Sequence, residues 1–234
     1  MSVRPAAGGG RWVDVDPARL PGWLNGFAGR HGAYHVTNVT DDALCVVAVD
    51  GAEVTLPRPP GAPPSSDVES FVQEAMRERR IGLLLARQSS VAVGIADGPR
   101  LVTSKIQTAY VQSRTAAGGW SQHRYARRRE NQAKAAAESA ADLVVRLLLP
   151  PITELSTVVT GGDRRTVEAI LADHRLTPVA ALRSDRFLAV REPRLAVLET
   201  AVAAARAVRL RVTDPDHDAP PRGGLGTTDR PPGS

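Results

Sequence analysis

Between residues 105 and 134 the sequence gathers Lys105, Arg114, Arg124, Arg127, Arg128, Arg129 and Lys134 against the single acid Glu130. The window carries a charge of +6, whereas the whole chain of 234 residues carries +5, so everything outside it sums to −1. Arginine supplies 28 of the 30 basic residues, a bias that would spread charge evenly along the chain. Its concentration in one window instead points to a polyanion partner. Within the window Gly118-Gly119 forms a tip, followed by Trp120, Ser121, Gln122 and His123. Arg124, Arg127, Arg128 and Asn131 then recur at i, i+3, i+4 and i+7, which makes one stripe of a helix, with Tyr125, Gln132, Ala136, Leu143 and Leu147 towards the other side. Guanidinium forks bind phosphate bidentately and keep their charge. Trp120 and Tyr125 add flat faces on which bases stack. The residue types leave two readings: RNA contact, or a solvated helix start with Trp120 packed in a core.

Other chemistry-bearing residues fit simpler roles. The turn TGGD at 160–163 lacks the spacing and lysine of a phosphate-binding P-loop, and reads as a strand-to-helix turn capped by Asp163. The five histidines have no metal-site spacing, no nucleophile elbow is present, and Asp14 and Asp16 read as residues that cap a helix. With Cys45 as the single cysteine, disulfide frameworks and Cys-ligated zinc are excluded, and Cys45 reads as a small buried apolar residue. No apolar run approaches the roughly 20 residues of a bilayer span, and the first 20 residues lack the apolar core of a signal peptide. The expectation is a cytoplasmic protein that does not contact membranes.

The elements that must position the basic window are set by periodicity. Residues 1–10 and 213–234 are rich in Gly, Pro and polar residues and read as disordered tails. Residues 11–57 form a small α+β module: a helix capped by Asp16 with Pro17 at its first position, a hairpin of AYHVTNV and ALCVVAV, and a third strand EVTL. The proline-rich stretch 58–67 reads as a linker. Beyond it, a helix with Val68, Phe71, Val72 and Ala75 on one face is expected to pack on the strands that succeed it. Those strands form a three-strand meander whose third member is long. A long helix from about Gln122 to Leu149 comes next, stopped by Pro150-Pro151, and then alternating strands and helices end in the strand VRLRV. A meander before alternation predicts a mixed sheet with helices on both faces, filling a second domain over 68–212.

The segment GGWSQHRYARRRE resembles the loop and helix start of the middle domain of eukaryotic and archaeal translation release factors, where a Gly-Gly-Gln tip precedes Ser-x-x-Arg-Phe-x-Arg-x-Arg. It is more similar still to the tRNA-releasing factors of ribosome quality control and their actinobacterial, Vms-like relatives. Gly118, Gly119, Ser121, Arg124, Tyr125, Arg127 and Arg129 fall on the pattern. Trp120 stands where release factors have Gln, and the first glutamine, Gln122, comes two residues later. The resemblance implies a release-factor middle-domain-like, RNase H-like fold for residues 68–212, with a catalytic loop at 113–123.

It further implies a hydrolase that frees peptide from peptidyl-tRNA at the peptidyl-transferase centre of stalled ribosomes or split large subunits, by ester hydrolysis or by cutting the tRNA acceptor end. No codon-reading domain is apparent in the first 68 residues. The implied catalytic residues are Gln122, Gly118, Gly119 and Ser121. The implied RNA contacts are Arg124, Arg127, Arg128, Arg129, Trp120, Tyr125, Lys105 and Arg114. Large-subunit rRNA and peptidyl-tRNA are the implied partners of a monomer that needs no cofactor or metal. A non-catalytic RNA- or ribosome-binding module is the alternative from a different class.

Overall fold

The computed structural model describes residues 2–87, 90–108 and 122–215, and for 122–130 the backbone alone. In chain order the elements are β1 (Ser2–Pro5), β2 (Arg11–Val15), α1 (Leu20–His31), β3 (Tyr34–Val39), β4 (Ala43–Ala48), β5 (Glu53–Pro57), α2 (Val68–Met76), β6 (Arg80–Arg87), β7 (Ser90–Asp97) and β8 (Arg100–Thr108). They continue as α3 (Gln122–Leu148), β9 (Thr157–Gly162), α4 (Arg164–Leu171), α5 (Thr177–Ala181), β10 (Arg183–Leu188), α6 (Leu195–Arg206) and β11 (Val208–Thr213). Two sheets result, one of them mixed, so the chain is an α+β protein as the patterning predicts.

The first sheet has the order β1-β2-β11-β5-β4-β3 with every pairing antiparallel. Strict alternation gives it one apolar face, where Val13, Val15, Leu44, Val46, Val54, Leu56, Val208, Leu210 and Val212 meet Leu24 and Phe27 of α1. Its other face carries Asp14, which accepts from Arg209 Nε at 2.9 Å and Arg4 Nη2 at 3.0 Å.

The second sheet has the order β10-β9-β6-β7-β8. Strands β6, β9 and β10 are parallel, and β7 is antiparallel to both β6 and β8. Both faces are covered, which is why β6 reads as a continuous apolar run: Leu84 and Ala86 pack towards α3 and α4, while Ile81, Leu83 and Leu85 pack towards α6. The expected mixed sheet with helices on both faces is present.

Four features differ from the sequence expectations. Residues 2–5, read as part of a tail, form a strand on β2, because Gly8, Gly9 and Gly10 take positive φ values of 78, 92 and 77° and turn the chain back. Helix α2 packs on the first sheet rather than on the meander after it, burying Phe71 and Ala75 among Leu44, Leu56 and Val208. The terminal strand VRLRV becomes β11 and lies between β2 and β5 in the first sheet, not in the second. Within the proline-rich stretch Pro59 and Ala62 are buried, and Gly61 lies against Ser156 with so little space that a methyl there would sit 3.0 Å from its Cβ.

The two sheets are tied together at Arg186 of β10. Its Nη1 donates to the carbonyls of Ala204, at 3.2 Å, Ala205, at 3.0 Å, and Ala207, where α6 hands over to β11. Burial first, then the nearby Arg209 charge, pushes the Arg186 pKa down to about 10, so it remains charged at neutral pH and neutralises the carbonyl end of α6.

Candidate nucleic-acid interface

The basic window is mounted on α3. This helix has 27 residues and spans roughly 40 Å, and its two halves differ. Its second half is rooted in the second sheet by Ala140, Ala141, Leu143, Val144 and Leu148, all buried. In its first half, Asn131, Gln132, Ala133, Lys134 and Ala135 are all exposed. Five consecutive residues exceed one helical turn, so every side of the helix faces solvent there. The helix therefore projects beyond the sheet as an arm.

Two polar contacts fix the root of this arm. Gln107 Nε2 of β8 donates to Ser139 Oγ of α3 at 2.8 Å. On the other flank, Arg175 Nη2 reaches Asp142 Oδ1 of α3 and Asp173 Oδ2, each at 2.7 Å. The Arg175 side chain and then its backbone N–H bond the Asp173 carboxyl and hold it at about 2; the two carboxylates in turn push the Arg175 pKa up. Measured from Ser139, the 17 residues back to Gln122 extend about 25 Å.

Six of the sequence-derived site residues fall on this arm. Gln122, Arg124, Tyr125, Arg127, Arg128 and Arg129 occupy the first eight positions of α3, at its far end. Gly118, Gly119, Trp120, Ser121 and Arg114 lie outside the described residues. Lys105 is exposed on β8, opposite Val93 and on the same strand face as Gln107, so it sits at the root of the arm rather than with the arginines at its end. Sequence reasoning missed Gln107, Ser139 and the Asp142–Arg175–Asp173 cluster. No local signal marks their joining to α3, because Gln107 and Ser139 are 32 residues apart and Asp142 and Arg175 are 33 apart.

Of the residues assigned simpler roles, Asp163 does cap α4: its Oδ1 accepts from Thr166 N at 2.8 Å and Thr166 Oγ1 at 2.9 Å. Cys45 is half-buried on the polar face of the first sheet, 3.9 Å from Thr55 Oγ1, and not in the apolar core, because the strand alternation places Leu44 and Val46 inward. Among the described residues no helix is long and apolar enough to cross a membrane.

A mixed sheet with helices on both faces carries, beyond its edge, a long helix whose first eight positions include Arg124, Arg127, Arg128 and Arg129. The chain belongs to the Actinobacteria/chloroflexi VLRF1 release factor family, whose pattern matches residues 79–211, from just before β6 through the arm and into β11. The family resemblance carried by Gly118 to Arg129 is thereby borne out. Among solved structures, the archaeal translation termination factor aRF1 is similar at 16% identity and a TM-score of 0.43, over 68% of this chain and 48% of that one. The match thus spans about half the length of that factor. The Vms1 mitochondrial localization core is similar at 7% identity and a TM-score of 0.46, over 72% of this chain and 75% of that one. No curated protein matches the chain.

Proposed function

We propose that the protein is a codon-independent peptidyl-tRNA releasing factor that delivers its Gly118-Gly119 tip and Gln122 to the peptidyl-transferase centre of stalled ribosomes or split large subunits. The observation that carries this reading is the arm: about 25 Å of helix beyond its hydrogen-bonded root at Ser139, beginning at Gln122 and exposed on all sides over Asn131 to Ala135. Family membership is consistent with that use. A helix exposed on all sides over Asn131 to Ala135 gains nothing there for the core, and its length suits reaching into a particle.

The chemistry rests on the residue types. A glutamine amide does not titrate, so Gln122 acts by position: it orients a water towards the ester carbonyl, or donates a hydrogen bond to the developing oxyanion, with the N–H groups of Gly118 and Gly119 and the Ser121 hydroxyl assisting. The attacking water oxygen becomes the new carboxyl oxygen, the ester bond to tRNA breaks, and the released proton passes to the tRNA oxygen through RNA and substrate groups. Arg124, Arg127, Arg128 and Arg129, with Arg114, bind phosphates, and Trp120 and Tyr125 stack on bases.

Incubating the purified chain with large subunits that carry peptidyl-tRNA, and resolving the tRNA 3′ end, tests the proposal. Full-length tRNA reports ester hydrolysis; shortened tRNA reports cleavage in the acceptor end. Gln122→Ala should abolish either reaction while co-sedimentation with the subunit persists, since a neutral amide adds little to salt-dependent binding. Wild-type protein that binds at saturation yet releases nothing and trims nothing would overturn the enzymatic reading in favour of an RNA-binding module.

A further inference from the structure

The second sheet sorts its charges by end. Strands β6, β9 and β10 run parallel, and β8 runs the same way through two antiparallel pairings, so their C-terminal ends share one edge. The register fixes this edge: Arg87 lies opposite Ser90, Ser90 opposite Thr108, Ala86 opposite Gly162 and Gly161 opposite Leu188. The chain leaves β8 towards the basic window from Thr108, at the same edge.

Five arginines, 87, 164, 165, 191 and 194, stand on this edge against two acids, Asp163 and Glu192. Arg87 Nη1 donates to the Arg191 carbonyl at 2.8 Å, and Ser90 Oγ donates to that of Pro193 at 2.6 Å, which together hold the segment after β10 against the ends of β6 and β7. The guanidinium of Arg164 lies 4.2 Å from the ring centre of Phe187. A guanidinium held over a ring in this way keeps its charge and its N–H donors for a phosphate. Arg164, Arg165 and Arg191 are exposed.

The opposite end of the sheet is also rich in arginine, but there four of six are paired, Arg77 and Arg79 with Glu74, Arg80 with Glu154 and Arg183 with Glu168, while Arg100 and Arg206 have no ion pair among the described residues. At the arm edge, among the described residues, Arg194 with Glu192 is the sole ion pair, and the Asp163 carboxylate is engaged by Thr166. Composition alone does not produce that asymmetry. A surface of like charge costs stability through self-repulsion unless a partner of opposite sign neutralises it.

We propose that this arginine edge is a second RNA-contact surface, docking on ribosomal RNA phosphates of the large subunit about 25 Å behind Gln122 while the arm is inserted. The inference rests on the releasing-factor reading and adds the docking surface that sets how far the arm enters. Two contacts, tip and edge, fix an orientation that a single contact does not.

Co-sedimentation of the full chain with isolated large subunits across a salt series provides the test. Each lost phosphate contact lowers the slope of log K against log salt by roughly 0.7 to 0.9, so Arg165→Ala with Arg191→Ala should lower it by about 1.5. Between about 50 and 200 mM salt the double variant should lose roughly eightfold less affinity than the wild type. The double Lys variant should restore the slope, because Lys keeps the charge, and thermal melting should be unchanged because both side chains are exposed. An unchanged slope in the Ala variant overturns the proposal, as does an equal loss on free tRNA, which would place the contact outside ribosomal RNA. A reduced slope in the Ala variant, together with a wild type that releases no peptide, upholds the edge and overturns the enzymatic reading. Normal release with an unchanged slope overturns the edge alone, and a wild type that binds no subunits overturns both.

Discussion

Gln107, near the end of β8, donates its amide N–H to the Ser139 hydroxyl, 32 residues on, at 2.8 Å, and so clamps the two sides from which the arm emerges. Asn131 to Ala135, on the arm side of this contact, are exposed, while Ala140, Ala141, Leu143 and Val144 beyond it are buried. Removing this contact should loosen the root. A double-mutant cycle with Gln107→Ala and Ser139→Ala in urea denaturation should give a coupling of about 0.5 to 1 kcal/mol, the range of a solvent-accessible hydrogen bond. The same variants should slow peptide release more than they weaken subunit binding, since positioning is what they lose.

Replacing Arg127 and Arg128 together by Ala should lower the slope of log K against log salt for large-subunit binding by about 1.5. Melting temperature should barely move, because the neighbouring turn at 131–135 is exposed on all sides and nothing packs against the helix there. Loss of folding at an unchanged slope would show that these arginines are structural.

The cluster at the arm's root predicts a pH dependence. Asp173 is held at about 2 against an ordinary 3.8, so its folded-state pKa lies below its unfolded one. Its contribution to stability is therefore complete above about 3.8 and is lost as pH falls through about 2. Asp173→Asn should lower the melting temperature at neutral pH, and the difference from wild type should vanish on acidification to about pH 2. Melting curves over that range, in constant ionic strength, check it.

Gly162 has a φ of 102°, and a methyl at its Cα would sit 2.1 Å from the Ala86 carbonyl oxygen. Gly162→Ala should cost about 2 kcal/mol or more, through backbone strain and loss of the bond from Asp163 N to Ala86 O, 2.7 Å long. Gly29→Ala, at an exposed helical site where nothing lies within 4 Å, should instead stabilise by about 0.5 to 1 kcal/mol. Urea denaturation of both variants separates the two cases.

Leu210 is fully buried in the first sheet although it lies near the end of the chain. Leu210→Ala should cost about 2 to 5 kcal/mol. Fluorescence from Trp12 of β2 and Trp23 of α1 should report the loss in the same transition as far-UV circular dichroism, because β11 and the Arg186 contacts join the two sheets.

Much of this was legible in the sequence because the forces concerned are local. The apolar run of β6 marked it as a strand of the meander, the stop at Pro150-Pro151 ended α3, and Asp163 marked the start of α4 through its cap. The family was readable from a short motif whose residues are contiguous. Tertiary structure alone decided which strand β11 joins, since the alternation of Val208, Leu210 and Val212 specifies an inward face but not a neighbour. It alone turned Phe71 towards the first sheet, and it alone made a clamp of Gln107 and Ser139. Periodicity records which side of an element is buried, whereas the identity of what buries it depends on pairings distant along the chain, whose energy no short segment contains.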